Sequence, residues 1–134
     1  MVRNYLITIL LLIIFYTNKC VSQNNYKNKI GAKQTQREKD SLKVNELLNS
    51  AIYYYQNEFN LDSLQSIASK ALLISKSKGL DFQTCRSYNG ISLAHMHKSE
   101  YSNAIKYADS ASIYAQKSGD STQIFRSLIL KGRC

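Results

Sequence analysis

His95 and His97 flank Met96, and they are the two histidines of the chain. Imidazole is the commonest metal ligand and general base, so any chemistry begins with this pair. On a helix, however, residues two apart point roughly 200° apart, and two such rings cannot share an ion. Cys85 lies ten residues before His95, about 15 Å away along a helix axis. A nucleophile–base pair would need a histidine near a serine, cysteine or acid, and these two are the only candidates. There is no glycine-rich phosphate loop and no nucleophile elbow. The sequence therefore assigns no catalytic residue, no metal and no cofactor. His95 reads instead as a ring packed in an aromatic slot. The chain is expected not to be an enzyme.

Lys and Arg number 18 against nine Asp and Glu, a formal charge of +9. Such a balance suits nucleic acid or an anionic surface, but no nucleic-acid-binding motif accompanies it. Part of the basic excess sits at the N-terminus. "MVRNYLITILLLIIFYTNKCVSQ" has a basic start and an apolar stretch from Leu6 to Phe15 broken by Thr8. The uncharged window between Arg3 and Lys19 holds 15 residues, short of the roughly 20 that span a bilayer. Residues 1–22 thus read as a signal peptide cut after Ser22, with small side chains at Cys20 and Ser22. A lipoprotein signal at Cys20 and an uncleaved anchor are the rival readings. The expected location is across the inner membrane, periplasmic or in the cell envelope, with a membrane-anchored form if the segment stays. Export argues against nucleic acid as a partner.

Cleavage leaves Cys85 and Cys134, 49 residues apart. Two thiols do not make a disulfide framework. With a 40-residue repeat they stand nine residues out of register on adjacent equivalent helices, or ~13 Å. A bridge needs Cα atoms within about 7 Å, so none is expected.

The elements that must position these side chains are helices. The chain contains no proline, so the strongest helix breaker is missing. Residues 23–40 read as a basic polar arm. Thr35 and Glu38 stand at capping-box spacing, and Asp40 or Ser41 offers a later cap. Leu47, Leu48, Ala51, Ile52 and Tyr55 then recur on one helical face. Asn60 can cap a second helix, whose face runs from Leu61 through Leu64, Ile67, Ala68, Ala71, Leu72 and Ile74. Gly79 suits the left-handed residue beyond its end.

A shift of 40 residues superimposes the chain on itself. Gly79 meets Gly119, Ala68 meets Ala108, Ala71 meets Ala111, Tyr55 meets His95 and Asn49 meets Asn89. Arg86 and Ser87 meet Arg126 and Ser127. The implied units are 41–80, 81–120 and an incomplete 121–134, each a helical hairpin. The second hairpin has helices from about Phe82 to Lys98 and from about Tyr101 to Ser118. In "YSNAIKYADSA", Ala104, Ala108 and Ala111 form a stripe of methyl groups. A small stripe at that spacing lets neighbouring helices approach at the short end of the ~8–10 Å range. The expected neighbours are the hairpin partner and the first helix of the next unit.

"ISLAHMHKSEYSNAIKYADSA" resembles a tetratricopeptide repeat. Ile91 and Ser92 stand for the family's Leu-Gly pair, His95 for an aromatic, and Tyr101 and Ala104 for its Tyr-x-x-Ala. Ala108 and Ala111 follow at the helix-B positions. Units of 40 residues with a helix-ending glycine are similar to the exported sensory halves of some bacterial signalling proteins, including histidine kinases. The resemblance implies an all-α array of αα-hairpins wound as a right-handed superhelix. It implies a concave face lined by the first helix of each unit. Its outward positions would be Glu46, Asn49, Tyr53, Gln56 and Asn57, then Arg86, Asn89, Leu93, Met96 and His97, then Arg126, Ile129 and Arg133. The asparagine amides could pair with an extended peptide backbone, and Arg86 and Arg126 could clamp a carboxylate.

The function implied is a non-catalytic scaffold that binds a protein or peptide. The alternative is a sensory input region of a signal-transduction protein. Because the third unit stops within its first helix, the chain is also expected to be marginally stable and to self-associate there.

Overall fold

The computed structural model describes residues 35–134, and the segment read as a signal peptide and most of the basic arm lie outside them. From Lys39 onward these residues form one compact unit. Its secondary structure is all α, with no strand among the described residues. We number the helices α1 (35–58), α2 (Leu61–Ser77), α3 (Asp81–His97), α4 (Tyr101–Ser118) and α5 (Ser121–Arg133). None of them is long and apolar enough to cross a membrane.

The helix boundaries follow local chemistry. Asn60 Oδ1 accepts from the Ser63 amide at 2.9 Å, and Asp120 Oδ1 accepts from the Gln123 amide at 3.0 Å. Each side chain satisfies an amide that the first helical turn leaves unpaired. At the other ends, Phe59, Gly79, Ser99 and Gly119 have φ of 48°, 63°, 62° and 70°. A left-handed residue thus recurs every 20 positions and reverses the chain after each helix. After α2 the Leu80 amide donates to the Ser75 carbonyl and the Gly79 amide to that of Lys76. After α3 the Glu100 amide donates to His95 and the Ser99 amide to Met96. These are two copies of the Schellman closure, 20 residues apart. Glycine adopts the required conformation freely, whereas Ser99 holds it against a steric cost.

α1 starts earlier than the polar arm implied. Residues 35–40 are helical, so Asp40 and Ser41 lie inside α1 rather than at its cap. Thr35 to Lys39 are exposed, and burial begins in earnest at Val44. Gln36, Arg37, Glu38 and Lys39 are good helix formers that need no apolar partner to continue a turn. The apolar period marks where α1 meets its neighbours, not where it begins.

α3 is the centre of the array and packs against α2, α4 and α5. Val44 and Leu48 of α1 meet Ala71 and Leu80, while Ala51, Leu64 and Ala94 join α1, α2 and α3. The alanine stripe behaves as its spacing implied. Ala104, Ala108, Ala111 and Ala115 are all 0 % exposed. Ala104 and Ala108 lie against Met96 of α3 and Leu130 of α5, and Ala111 and Ala115 against Cys85 of α3 and Ile124 of α5. The methyl stripe therefore seats α4 on two helices at once.

Much of α3 is buried through small polar residues. Ser87 and Ser127 are each 0 % exposed, and each hydroxyl donates to the carbonyl four residues earlier, at 2.8 and 2.9 Å. Such back-bonding satisfies a buried hydroxyl without a partner helix. Ser92 instead reaches across, donating to the Ala104 carbonyl at 2.8 Å.

Candidate functional site

The two histidines face different neighbours. His95 is buried, stacked on the Tyr107 ring at 5.1 Å, with Nδ1 2.6 Å from Glu100 Oε2. That hydrogen bond, with a second from Asn103, holds the Glu100 carboxyl below the usual carboxylate range. His97 meets the Tyr55 hydroxyl through Nε2 at 2.7 Å and lies beside the Tyr55 and Phe59 rings. Both rings are fasteners between helices. His95 ties α3 to α4, and His97 ties α3 to the end of α1.

Cys85 and Cys134 are free thiols. Burial pushes the Cys85 thiol up to about 11. Only the thiolate is nucleophilic, so Cys85 is inert at neutral pH. In a chain carrying Cys20→Ser, we expect iodoacetamide at pH 7.5 to alkylate Cys134 readily. Cys85 should react at least ~100-fold more slowly until denaturant is added. Mass spectrometry of tryptic peptides reads both rates, and equal labelling in the folded state would remove Cys85 from the core.

A half-open groove of about 230 Å³ is bordered by α1, α3 and α5 and floored by α2. α3 contributes Arg86, Asn89, Gly90 and Leu93. α5 contributes Gln123, Arg126, Ile129 and Leu130, and Leu64 and Ala68 of α2 show through below. A Cβ on Gly90 would stand 3.2 Å from Ala68 Cβ. The glycine thus allows close approach of α3 to α2.

Five of the thirteen outward residues implied by the resemblance border this groove: Arg86, Asn89, Leu93, Arg126 and Ile129. The other eight do not. Asn89 is only 9 % exposed, and its amide is engaged within the fold. Its Nδ2 donates to Gln123 Oε1 at 3.2 Å, and the Ser127 hydroxyl lies 3.2 Å from its Oδ1. It therefore holds α5 on α3 and offers no free amide to a peptide backbone. Met96 is likewise buried, in the cluster with Ala104 and Leu130. Asn49 is exposed and accepts from Arg86 Nη2 at 3.2 Å.

Glu46, Gln56 and Arg133 are exposed outside the groove, as are Tyr53, edge-on to Tyr54, and Asn57, which donates to the Tyr53 carbonyl. α1 meets the groove instead through Leu48, Ala51, Ile52 and Tyr55. They belong to the apolar face of α1. α1 borders the groove from the side, so it presents the edge of that face. The positions that the resemblance marks on α1 lie outside the groove.

The electrostatics are one-sided. Arg86 donates to Asn45 Oδ1 at 2.9 Å and to Asn49, both neutral acceptors. Burial and the nearby Arg126 guanidinium hold Arg86 below the ordinary arginine value. None of the ion pairs among the described residues involves Arg86 or Arg126. Two guanidiniums without a carboxylate partner thus stand at an apolar groove. No family model, curated protein or solved structure matches this chain.

Proposed function

We propose that the chain is a non-catalytic binding module of the tetratricopeptide type, and that its groove takes an apolar peptide segment carrying a carboxylate. The observation that carries this reading is the pair Arg86 and Arg126, close enough to repel, unpaired with acid, and set beside Leu93 and Ile129. A carboxylate there would relieve that repulsion and accept bidentate hydrogen bonds. The recurrence of left-handed residues every 20 positions and the alanine stripe support the repeat type. The N-terminal apolar segment supports export, which would place the groove in the cell envelope.

Fluorescence anisotropy with a labelled leucine-rich pentapeptide tests the reading. The free-carboxylate form should bind saturably and its C-terminal amide about tenfold more weakly or worse, as for a lost charge-assisted hydrogen bond. Arg126→Ala should erase the difference. Arg126 is the cleaner site for substitution, because Arg86 also holds α1 through Asn45 and Asn49. Equal binding of acid and amide, or an unchanged Arg126→Ala variant, would remove the groove from this role.

A further inference from the structure

His95 is fastened at both ring nitrogens. Nδ1 stands 2.6 Å from Glu100 Oε2, and Nε2 stands 3.3 Å from Gln65 Nε2 of α2. Packing alone does not call for a histidine here. The equivalent position of the first unit is Tyr55, and a phenol ring fills such a slot without adding a group that titrates near neutrality. Glu100 is spent in the same place. It occupies the N-cap position of α4 yet makes no side-chain cap hydrogen bond, whereas Asn60, its equivalent on α2, does. The Glu100 carboxylate turns to His95 instead.

The direction of each bond follows from what lies behind Gln65. Lys98 Nζ donates to Asp62 Oδ1 at 2.6 Å and to Gln65 Oε1 at 2.8 Å. An ammonium has donors only, so the Gln65 oxygen faces Lys98 and its NH2 faces His95. The NH2 donates, so His95 Nε2 accepts and carries no proton. The proton of the neutral ring is then on Nδ1, where the Glu100 carboxylate accepts it. An imidazolium has a donor at both nitrogens. With a proton on Nε2, two donors would face each other across the 3.3 Å contact. Relief requires the Gln65 amide to turn over. Its oxygen then faces His95, and its NH2 faces the Lys98 ammonium. One carbonyl oxygen thus stands between two groups that can both be cations.

We infer that His95, Gln65 and Lys98 form a proton-operated switch between α2 and the α3–α4 hairpin. With His95 neutral, the Gln65 oxygen holds Lys98. With His95 cationic, that oxygen holds His95 and leaves Lys98 to Asp62 alone. α2 presents Gln65 to the ring and, behind Lys98, Asp62. The end of α3 presents Lys98, and the turn presents Glu100, itself bonded by Asn103. α4 presents Tyr107, stacked on the ring. Among the described residues, no hydrogen bond, ion pair or ring contact of His95 reaches α1 or α5. Glu100 favours the cation and Lys98 opposes it.

The test is nuclear magnetic resonance of the ¹⁵N-labelled full chain. At pH 8 the His95 ring should carry its proton on Nδ1 and none on Nε2. From pH 8 to pH 5 the Gln65 side-chain amide and the Lys98 side chain should shift with the same midpoint as the ring. Gln65→Glu supplies one oxygen for each cation. It should raise the His95 midpoint by about one pH unit and cut the accompanying Lys98 shift by at least half. Glu100→Gln should lower the midpoint, with Gln65 and Lys98 still following the ring. Melting curves at pH 8 check that each variant is folded. A proton on Nε2 at pH 8 would overturn the inference in the unaltered chain. So would a ring that stays neutral to pH 5, or Gln65 and Lys98 signals that ignore its transition. His97, bonded to Tyr55, is the internal control, and signals that follow His97 instead would overturn it too. A Lys98 shift undiminished in folded Gln65→Glu would exclude the contest for one oxygen.

Discussion

Leu64→Ala is expected to lower the unfolding free energy by about 3 kcal/mol. Leu64 is the largest of the fully buried side chains and only 1 % exposed. It joins Ala51 of α1 and Ala94 of α3, with Tyr55, Ile67 and Leu93 around it. Truncation removes apolar surface from the core and leaves a void where three helices meet. Ala51 and Ala94 are too small to collapse into it, but Leu64 also borders the groove, so the loss falls in the lower part of the Leu→Ala range. Against a total of ~5–15 kcal/mol for a domain, the loss is large. For about 100 ordered residues it corresponds to a fall in melting temperature of about 12–24 °C. Leu73→Ala is the control. Leu73 lies on the same helix but is 73 % exposed, so the backbone preference changes equally and the burial does not. Its effect should stay within about 0.5 kcal/mol. Equal midpoints for the two variants in a thermal melt would mean that α2 does not use this face.

The second large effect runs in the opposite steric direction. Ala108→Leu should cost about 1–3 kcal/mol by overpacking. Ala108 is 0 % exposed and lies with Ala104 between Met96 of α3 and Leu130 of α5. Leucine adds three carbons at a junction where methyl groups set the helix spacing. Met96 can adjust its flexible chain, but Leu130 sits on a separate helix that must move as a body. The loss should therefore fall towards the upper end of the range. Ser110→Leu, two residues on, replaces a half-exposed hydroxyl that donates to the Lys106 carbonyl, and should change stability little. Urea midpoints of the two variants, with unchanged slope, separate a stability effect from a change in compactness. Coincident midpoints would show that the stripe does not face two helices.

These two sites differ in how openly the sequence displayed them. The alanines at 104, 108 and 111 are spaced for one helical face, and the left-handed glycines 79 and 119 mark helix ends. Helix positions and the 40-residue unit could thus be read from residue type and spacing. The beginning of α1 could not, because residues 35–43 form helix on propensity while burying almost nothing. α3 was harder still. Its buried residues include Gln83, Thr84, Ser87, Asn89 and Ser92, which hydrophobic periodicity scores as surface. Gln83, Asn89 and Ser92 are satisfied by cross-helix bonds that only the assembled array supplies, and Ser87 by a back-bond within its own helix. Five positions marked by the resemblance, Arg86, Asn89, Leu93, Arg126 and Ile129, border the groove, and its α1 lining consists of other residues. Gly90 is a further signal in the sequence, because a mid-helix glycine marks a close approach.

The four left-handed residues at 59, 79, 99 and 119 also have a consequence in time. Each closes a reversal of two or three residues, so each helix meets its chain neighbour with little loop entropy to overcome. Contacts join α2 to α3, α3 to α4 and α4 to α5, and the α3–α5 contact skips a single helix. Contacts this near in sequence place the chain among fast folders, in the microsecond-to-millisecond class. Any one hairpin can start the process, and its neighbours then add in either direction along the array. A fault in one turn would delay its own two helices and leave the distant ones to assemble on schedule.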